Sequence, residues 1–234
     1  MKVENCFMKY HIEFDLEFRR NPYKGLYIVL EGTESAGKTT QVQRLAKYFE
    51  SQGKKVVTTR EPRKKGLIGD LVHQVLLGKL KLNPIAFQYL FSADRVLSHE
   101  EVIIPALKSG KIVISDRNFW SAVVYGVLDR TNGKYNKEIM DQLLVAQAIL
   151  SFYHQFIVPD FTFYLKIPLD VSVKRLLQKK GKKEIYEETE KIEKIIKGYD
   201  FVFSNFENEI ITIDGTKNIQ EVTEQLIREI EKRL

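Results

Sequence analysis

Residues 26–39 read LYIVLEGTESAGKT, in which a short apolar run leads directly into a loop of the pattern G-x-x-x-x-G-K-[ST]. The apolar run predicts a buried β-strand, and the amphipathic residues 41–50 predict a helix immediately after the loop. A glycine-rich loop between a strand and a helix directs backbone N–H groups and the positive end of the helix dipole toward an anion. The sequence therefore predicts a phosphate-binding loop, and nucleotide binding is the working hypothesis.

Separate residues of this loop have separate expected roles. Gly32 and Gly37 permit the positive φ values and the close approach that a phosphate needs. Lys38 would reach the β- and γ-phosphates, and Thr39 would place its hydroxyl on Mg²⁺. The predicted nucleotide-binding residues of the loop are Gly32, Ser35, Ala36, Gly37, Lys38, Thr39 and Thr40. The loop alone leaves open whether the γ-phosphate passes to water, as in a switch protein, or to a second substrate, as in a kinase.

The composition is typical of a soluble globular protein with one compact domain, since the 234 residues are 44% hydrophobic and 29% charged. The chain has no apolar run as long as a membrane span, and residues 1–24 lack the apolar core of a signal peptide. Its single cysteine, Cys6, cannot form an intrachain disulfide. We therefore expect a cytoplasmic protein with no membrane partner.

The net charge of +6 raises the question of a nucleic-acid partner, but the basic residues gather mainly in residues 54–65 and 174–183. A solvated basic face is the simplest explanation of each run. Nucleotides are themselves polyanions, so this charge does not require DNA or RNA. No zinc-ligand spacing and no aromatic-basic RNA motif is present, and we expect no nucleic-acid partner.

Short apolar runs recur between longer helical patterns and predict the fold class. The predicted strands are residues 26–30, 56–59, 112–115, 161–167 and 210–213. The predicted helices are residues 38–52, 66–77, 84–109, 121–128, 136–157, 170–180, 188–203 and 219–233. Strands that alternate with helices predict an α/β fold with a five-stranded parallel sheet and helices on both faces. Pro105 lies inside a helical pattern, which predicts a kink or break there.

Residues 1–24 precede this pattern and form an N-terminal extension of unknown role. Within them, residues 11–18 (HIEFDLEF) alternate polar with apolar side chains, which is the period of a half-buried strand. The segment could be an added edge strand, an arm on a partner subunit or a vector-derived segment, and the sequence does not decide among these.

Polar residues follow the predicted strands, at the edge of a parallel sheet where ligands bind. They are Arg60 to Arg63 after the second strand, Asp116 and Arg117 after the third, and Asp214 to Thr216 after the fifth. A carboxylate beside a phosphate loop suits Mg²⁺, and a neighbouring arginine could neutralise phosphoryl charge. An ordinary surface pair is the alternative for Asp116 and Arg117.

Two further features suit a nucleotide site. Phe91 and Arg95 are spaced i, i+4 and share one face of a predicted helix, where a ring could stack on a base and a guanidinium could bond its edge or a phosphate. Residues 179–183 are basic around Gly181 and could form a lid. The alternatives are a core phenylalanine and a solvated loop.

In order along the chain, the motifs EGTESAGKTTQ, TREP, LFSADR, SDRNFWSAVVY, VPDFTFYL and IDGT resemble the thymidylate kinase family. The resemblance implies a P-loop NTPase fold of the nucleoside monophosphate kinase type over residues 25–234, with a lid around residues 178–187. It implies transfer of the γ-phosphate of ATP to dTMP, with Mg²⁺ as cofactor and a homodimer as the assembly. Another deoxynucleotide or deoxynucleoside kinase, or a non-enzymatic ATP-binding protein, is the alternative.

The resemblance also implies residue roles. Lys38, Asp116 and Arg117 would be catalytic, and Thr39 and Asp116 would bind the metal. Glu34 would bond the sugar 3′-hydroxyl, Phe91 would stack on thymine, and the Tyr125 ring would exclude a ribose 2′-hydroxyl. The predicted acceptor-site residues are Glu34, Arg60, Pro62, Phe91, Arg95, Arg117, Ser121 and Tyr125. Gly215 and Thr216 would lie near adenine, and the predicted lid cations are Lys179, Lys180, Lys182 and Lys183.

The chain departs from the family pattern at several of these motifs. Arg63, Lys64 and Lys65 replace the usual glycine pair and threonine after Glu-Pro. Asn118 stands where an aromatic residue or histidine is common. Ser35 fills a loop position that is arginine in some members, and the lid contains only lysines. Lysine lacks the planar fork of arginine, so contacts to the transferred phosphate would be arranged differently.

Overall fold

The computed structural model of the chain describes residues 17–131, 156–179 and 184–234. The described strands are β1 (Arg19–Arg20), β2 (Tyr27–Glu31), β3 (Val56–Arg60), β4 (Ile112–Asp116), β5 (Ile157–Val158), β6 (Phe161–Lys166) and β7 (Ile210–Asp214). Five of them form one parallel sheet in the order β3-β4-β2-β6-β7, while β1 and β5 form a separate parallel pair. The predicted five-stranded parallel sheet is confirmed, with the strand before the phosphate loop at its centre.

Helices cover both faces of the sheet. The described helices are α1 (Lys38–Ser51), α2 (Leu67–Leu76), α3 (Pro84–Ser98), α4 (Ile104–Lys108), α5 (Phe119–Thr131), α6 (Leu169–Leu177), α7 (Thr189–Ser204) and α8 (Ile219–Glu231). Alternate residues of β2 point to opposite faces: Ile28 and Leu30 pack with α1 and α8, whereas Tyr27 and Val29 pack with Leu107 of α4. A strand buried on both sides must be apolar throughout, which explains the run that the sequence shows.

The long helix predicted for residues 84–109 is interrupted. A π-helical turn, His99–Ile103, separates α3 from α4, and Pro105 lies in the first turn of α4. Proline lacks an N–H and clashes with the carbonyl four residues earlier, so a regular α-helix cannot continue through it. The predicted interruption is confirmed, and it begins one turn before the proline.

Two other predicted helices differ from the structure at their ends. Helix α5 begins at Phe119 and extends to Thr131, beyond the predicted residues 121–128. Ile157, which the sequence places at the end of a helix, instead begins β5. Most of the predicted helix of residues 136–157 lies outside the described residues.

The described part of the N-terminal extension, residues 17–24, is attached to the domain. Strand β1 pairs with β5, and the Phe18 ring stacks on the Phe119 ring with centroids 5.9 Å apart. The Asn21 amide donates to a carboxylate oxygen of Asp160 at 2.8 Å. Most of the predicted strand of residues 11–18 lies outside the described residues, and residues 17 and 18 are not strand. Within the described ranges, no helix has the length and apolar character needed to cross a bilayer.

Candidate functional site

One cleft of about 1090 Å³ opens at the C-terminal edge of the sheet, beyond the ends of β2, β3 and β4. This is where ligands bind in open parallel sheets. The predicted site residues that line it are Glu34, Ser35, Ala36, Gly37, Lys38, Thr39, Thr40, Arg60, Pro62, Phe91, Arg95, Asp116, Arg117, Ser121, Tyr125, Lys179 and Gly215. The structure therefore brings together in one cavity residues from five of the named sequence motifs and one residue of the predicted lid.

The glycine loop has the backbone that the sequence predicts. Gly37 precedes α1 with φ 97°, and Gly32 has φ 145°. A Cβ on Gly32 would lie 2.8 Å from the carbonyl oxygen of Leu165, so a larger residue cannot fit there. Ser35 also adopts a left-handed conformation, with φ 59°. A non-glycine residue in that region is uncommon and marks a backbone held in place by its surroundings.

The Lys38 ammonium lies folded back over the loop. It donates hydrogen bonds to the carbonyl oxygens of Gly32 at 2.9 Å and Thr33 at 2.6 Å. Burial lowers the pKa of Lys38 to about 8, and the repulsion of Arg117 adds to this, although Glu34 and Asp116 partly oppose it. A bound phosphate would favour the charged form of this buried lysine, so the two groups would stabilise each other.

Thr39 and Asp116 meet although they are 77 positions apart in the sequence. Strands β2 and β4 are neighbours, and the Thr39 hydroxyl donates to the Asp116 carboxylate at 2.6 Å. Mg²⁺ commonly takes one or two protein oxygens and completes its octahedron with phosphate oxygens and water. The described residues contain no cluster of three or more His, Cys, Asp or Glu side chains that could hold a metal. This pair fits a phosphate-bound Mg²⁺ better than a metal held by protein groups alone.

Arg117 lies at the centre of the cleft wall, in a left-handed conformation with φ 76°. One terminal nitrogen donates to the Glu34 carboxylate at 2.6 Å, and the guanidinium carbon lies 5.2 Å from the centre of the Tyr125 ring. Burial alone would raise the pKa of Glu34, but Arg117 and Lys38 hold it at about 2. Glu34 is therefore ionised at any working pH, and its carboxylate also accepts a hydrogen bond from the Tyr125 hydroxyl at 3.3 Å.

The sequence did not reveal the groups behind Arg117. Its other terminal nitrogen donates to the hydroxyls of Tyr199 at 2.7 Å and Ser121 at 3.0 Å. Both hydroxyls contact the fully buried carboxylate of Glu31. The sequence could have indicated Glu31, because a carboxylate at the end of an otherwise apolar strand is unusual. For Tyr199 the sequence indicated only that it lies in a helix.

Phe91 and Arg95 of α3 form the far end of the cleft. The Phe91 ring rests on Phe87, with centroids 4.4 Å apart, and is only partly buried. Arg95 is 3% exposed and is already ion-paired through Nε with the buried carboxylate of Glu61. Burial raises the pKa of Glu61 to about 7 in spite of Arg95. The ion pair with Glu61 thus fixes the orientation of the guanidinium that Arg95 presents to the cleft.

The loop after β3, where the chain departs from the family pattern, is tied to α3. The Arg63 backbone N–H and Nε donate to the two carboxylate oxygens of Asp94 at 2.8 and 2.9 Å. A terminal nitrogen of Arg63 also donates to Glu101 at 2.7 Å. Lys64 and Lys65 line the cleft and are exposed, and within the described ranges neither forms an ion pair. Arg63 therefore attaches the loop to α3, and Lys64 and Lys65 add positive charge at the rim of the cleft.

Only one predicted lid cation lies within the described residues. Lys179 lines the cleft and donates to the Glu187 carboxylate at 2.6 Å. Lys180, Lys182 and Lys183 lie outside the described residues. The C-terminal part of the predicted lid is anchored, because the Ile185 N–H donates to the Leu76 carbonyl at 2.9 Å.

At the opposite end of the cleft, the two residues predicted to lie near adenine are placed differently. Gly215 lines the cleft, but Thr216 does not; it lines a separate cavity of about 470 Å³. The Thr216 N–H and hydroxyl both bond the Asp214 carboxylate, at 2.9 and 2.6 Å, which turns this side chain away. Residues that the motifs did not identify, Lys217 and Arg175, line this end instead.

Comparison with known proteins gives a consistent result. A family model described as Thymidylate kinase matches residues 30–226. A protein named Thymidylate kinase from Sulfurihydrogenibium sp. (strain YO3AOP1) is 32% identical over 211 residues, which cover 89% of this chain and 98% of that relative. A protein of the same name from Thermosipho africanus (strain TCF52B) is 32% identical over 210 residues, covering 89% and 99%. Another from Mycoplasmopsis pulmonis (strain UAB CTIP) is 32% identical over 215 residues, covering 87% and 86%.

Proposed function

The chain belongs to the thymidylate kinase family, and from that premise we propose how its cleft is used. The protein is an ATP-dependent kinase that phosphorylates dTMP to dTDP. One observation carries the assignment of the site: the phosphate loop and the face formed by Phe91, Arg95 and Arg117 line the same cavity. A donor and an acceptor nucleotide held at these two places would meet with their phosphates facing each other.

The donor end is formed by the glycine loop. Backbone N–H groups of residues 32–39 and the N-terminus of α1 bind the triphosphate of ATP, and Lys38 leaves the loop carbonyls to contact the β- and γ-phosphates. The adenine ring lies toward Gly215, where Arg175 and Lys217 line the cleft. Thr216 takes no part through its side chain, which Asp214 holds outside the cleft.

Thr39 and Asp116 hold Mg²⁺ in this proposal. When bound, the ion neutralises charge on the β- and γ-phosphates. The short hydrogen bond between the two side chains keeps both oxygens at one point beside the loop. Asp116 reaches that point because β4 lies next to β2 in the sheet.

The acceptor end lies toward α3. Phe91 stacks on thymine, Arg95 bonds the base edge or the monophosphate, and Tyr125 lies under the sugar. Glu34 accepts a hydrogen bond from the sugar 3′-hydroxyl, which its ionised state allows. Arg60 and Pro62 close the site from the β3 side, where the Arg60 Nε is buried without a partner in the structure. An unpaired donor in the wall suits an anionic ligand.

The reaction is an in-line transfer. An oxygen of the dTMP 5′-phosphate attacks the γ-phosphorus, the bond from that phosphorus to the β-γ bridging oxygen breaks, and ADP leaves with that oxygen. Arg117 and Lys38 supply positive charge on the two sides of the transferred group. No covalent intermediate with the protein is needed. Lys179, the predicted lid cation that the structure describes, adds positive charge to the cleft.

Base selectivity is the property that separates this proposal from a less specific deoxynucleotide kinase. We expect ADP release to be fastest with dTMP among dTMP, dUMP, dCMP and dGMP. The reason is that Phe91 stacks on the base, while the fixed guanidinium of Arg95 can bond only a base edge of matching geometry. A coupled assay of ADP release at matched concentrations measures this. Equal kcat/KM values for the four acceptors would contradict the thymidylate assignment while leaving a nucleotide kinase in place.

We also propose that the protein is a homodimer in the cytoplasm, which is the assembly that the family resemblance implies. The outward side of α3 exposes Ile85, Tyr89 and Val96, which are 49%, 55% and 39% exposed. Apolar side chains that share one helix face are typical of a surface that packs against another subunit. The predicted helix of residues 136–157 could also supply an apolar face for this contact, and it lies mostly outside the described residues.

A further inference from the structure

The carboxylate of Glu31 and the hydroxyl of Tyr199 lie behind the catalytic wall of the cleft. Both residues are 0% exposed, and neither lines the cavity. Glu31 is the last residue of β2, directly before the glycine loop, and Tyr199 lies on α7. Neither side chain can touch a substrate, so any effect on the reaction must pass through another residue.

The connection to Arg117 is continuous. One terminal nitrogen of Arg117, Nη1, donates to the Tyr199 hydroxyl at 2.7 Å and to the Ser121 hydroxyl at 3.0 Å. A guanidinium can only donate, so each hydroxyl must accept from Arg117 and use its own hydrogen elsewhere. The Glu31 carboxylate takes those hydrogens, from Ser121 at 2.5 Å and from Tyr199 at 2.9 Å.

The carboxylate is itself held by backbone groups. Its second oxygen accepts from the Asn118 N–H at 2.9 Å and the Ser121 N–H at 3.3 Å. The Asn118 N–H belongs to the turn between β4 and α5, in which Arg117 has φ 76°, and the Ser121 N–H belongs to the first turn of α5. Glu31 therefore fixes both the backbone that carries Arg117 and, through two hydroxyls, the orientation of its side chain.

The hydrogen bonds of this network leave one N–H group of the Arg117 guanidinium available to a ligand in the cleft. Nη1 carries two hydrogens, and both are used by Tyr199 and Ser121. Nη2 donates one hydrogen to Glu34 at 2.6 Å, which leaves its second hydrogen available. Burial raises the pKa of Tyr199 well above its usual value, although Arg117 partly opposes this, so its hydroxyl keeps its proton for Glu31.

We propose that Tyr199 and Glu31 are positioning residues that hold Arg117 with its Nη2 edge toward the acceptor phosphate. This inference rests on the proposed role of Arg117 and adds residues that no substrate contact would identify. One hydrogen bond joins the Arg117 guanidinium to the Tyr199 hydroxyl, and a second joins that hydroxyl to the Glu31 carboxylate. This arrangement also places a buried negative charge near the buried Arg117 without occupying the edge that the substrate needs.

Tyr199→Phe tests the inference because it removes one oxygen and keeps the ring. We expect kcat/KM for dTMP to fall about 10-fold, since a hydrogen bond to a charged group is lost. The Kd of ATP measured without dTMP should stay within about twofold, because only the acceptor side uses Arg117. The matched control is Tyr164→Phe: Tyr164 is equally buried, stacks on Tyr199 at 5.3 Å, does not line the cleft, and bonds Asp200 at 3.4 Å. It should leave kcat/KM unchanged.

A double-variant comparison separates positioning from general destabilisation. In an Arg117→Ala background, Tyr199→Phe should have no further effect, because the residue through which it acts is gone. If thermal denaturation shows that Tyr199→Phe is poorly folded, Glu31→Gln tests the same inference. We expect it to lower kcat/KM for dTMP by a similar factor. The inference is overturned if Tyr199→Phe leaves kcat/KM within twofold, or if its effect is unchanged without Arg117. Full activity of Arg117→Ala would instead overturn the proposed role of Arg117, on which the inference rests.

Discussion

Replacing Lys38 with alanine is expected to lower kcat by about 10²- to 10³-fold, because it removes the buried cation nearest the transferred phosphate. The ammonium lies over the glycine loop, held by the carbonyls of Gly32 and Thr33. ADP release with saturating ATP and dTMP measures the loss.

The control is Lys47→Ala, which removes an exposed lysine from the same helix, α1. Its kcat should equal that of the unchanged protein. If Lys38→Ala kept more than about a tenth of the activity while folding normally, the loop would not be the donor site that we propose.

The same lysine gives ATP binding a dependence on pH. Its pKa is about 8, below the usual value because of burial. Bound phosphate favours the charged lysine, so above pH 8 ATP binding should take up a proton, and the affinity should weaken by up to about tenfold per pH unit. Calorimetric titration at pH 8.5–9 in two buffers of different ionisation enthalpy measures the uptake. No uptake there would mean that the ammonium does not meet the phosphates.

The second large effect is expected from Arg117→Ala. The guanidinium is 8% exposed and contacts Glu34, Ser121 and Tyr199, so its removal takes away positive charge at the acceptor phosphate. We expect kcat/KM for dTMP to fall roughly 10²- to 10³-fold, from the loss of a charged contact that strengthens as the phosphate is transferred. Steady-state kinetics with dTMP varied at saturating ATP gives this value.

Folding has to be measured beside activity for this variant. Removing one partner of a buried charge network destabilises a protein by about 3–5 kcal/mol, because the carboxylates of Glu31 and Glu34 lose their compensation. Arg117→Lys keeps the charge but not the planar fork, so it should be more stable than Arg117→Ala and still impaired. Arg228→Ala, an exposed arginine on α8, should match the unchanged protein in both measurements. A folded Arg117→Ala protein with normal kcat/KM would remove Arg117 from the mechanism.

Much of the fold could be predicted because its signals are local. Each core strand is a short apolar run, since helices cover both sheet faces, and the glycine loop requires residues that permit positive φ. The strand ends follow from the same logic: Asp116 reaches Thr39 because parallel strands expose their C-terminal residues at one edge.

Other parts of the site depend on contacts between distant residues, which one sequence does not reveal. Glu31 and Tyr199 are 168 positions apart and meet only because α7 packs over the end of β2. The sequence did not show that the Asp214 carboxylate, two residues earlier, accepts a hydrogen bond from the Thr216 hydroxyl, a local bond that competes with any ligand. Arg63 looked like surface charge, yet it joins its loop to α3 through Asp94.

The most direct measurement of the central claim uses a compound in which adenosine and thymidine are joined through their 5′-oxygens by five phosphates. Both ends should bind at once, because the phosphate loop and the Phe91 face line one cleft. We predict competitive inhibition against both ATP and dTMP, with an affinity at least about 10-fold above that of either substrate. An inhibitor that competes with only one substrate, and binds together with the other, would contradict the account.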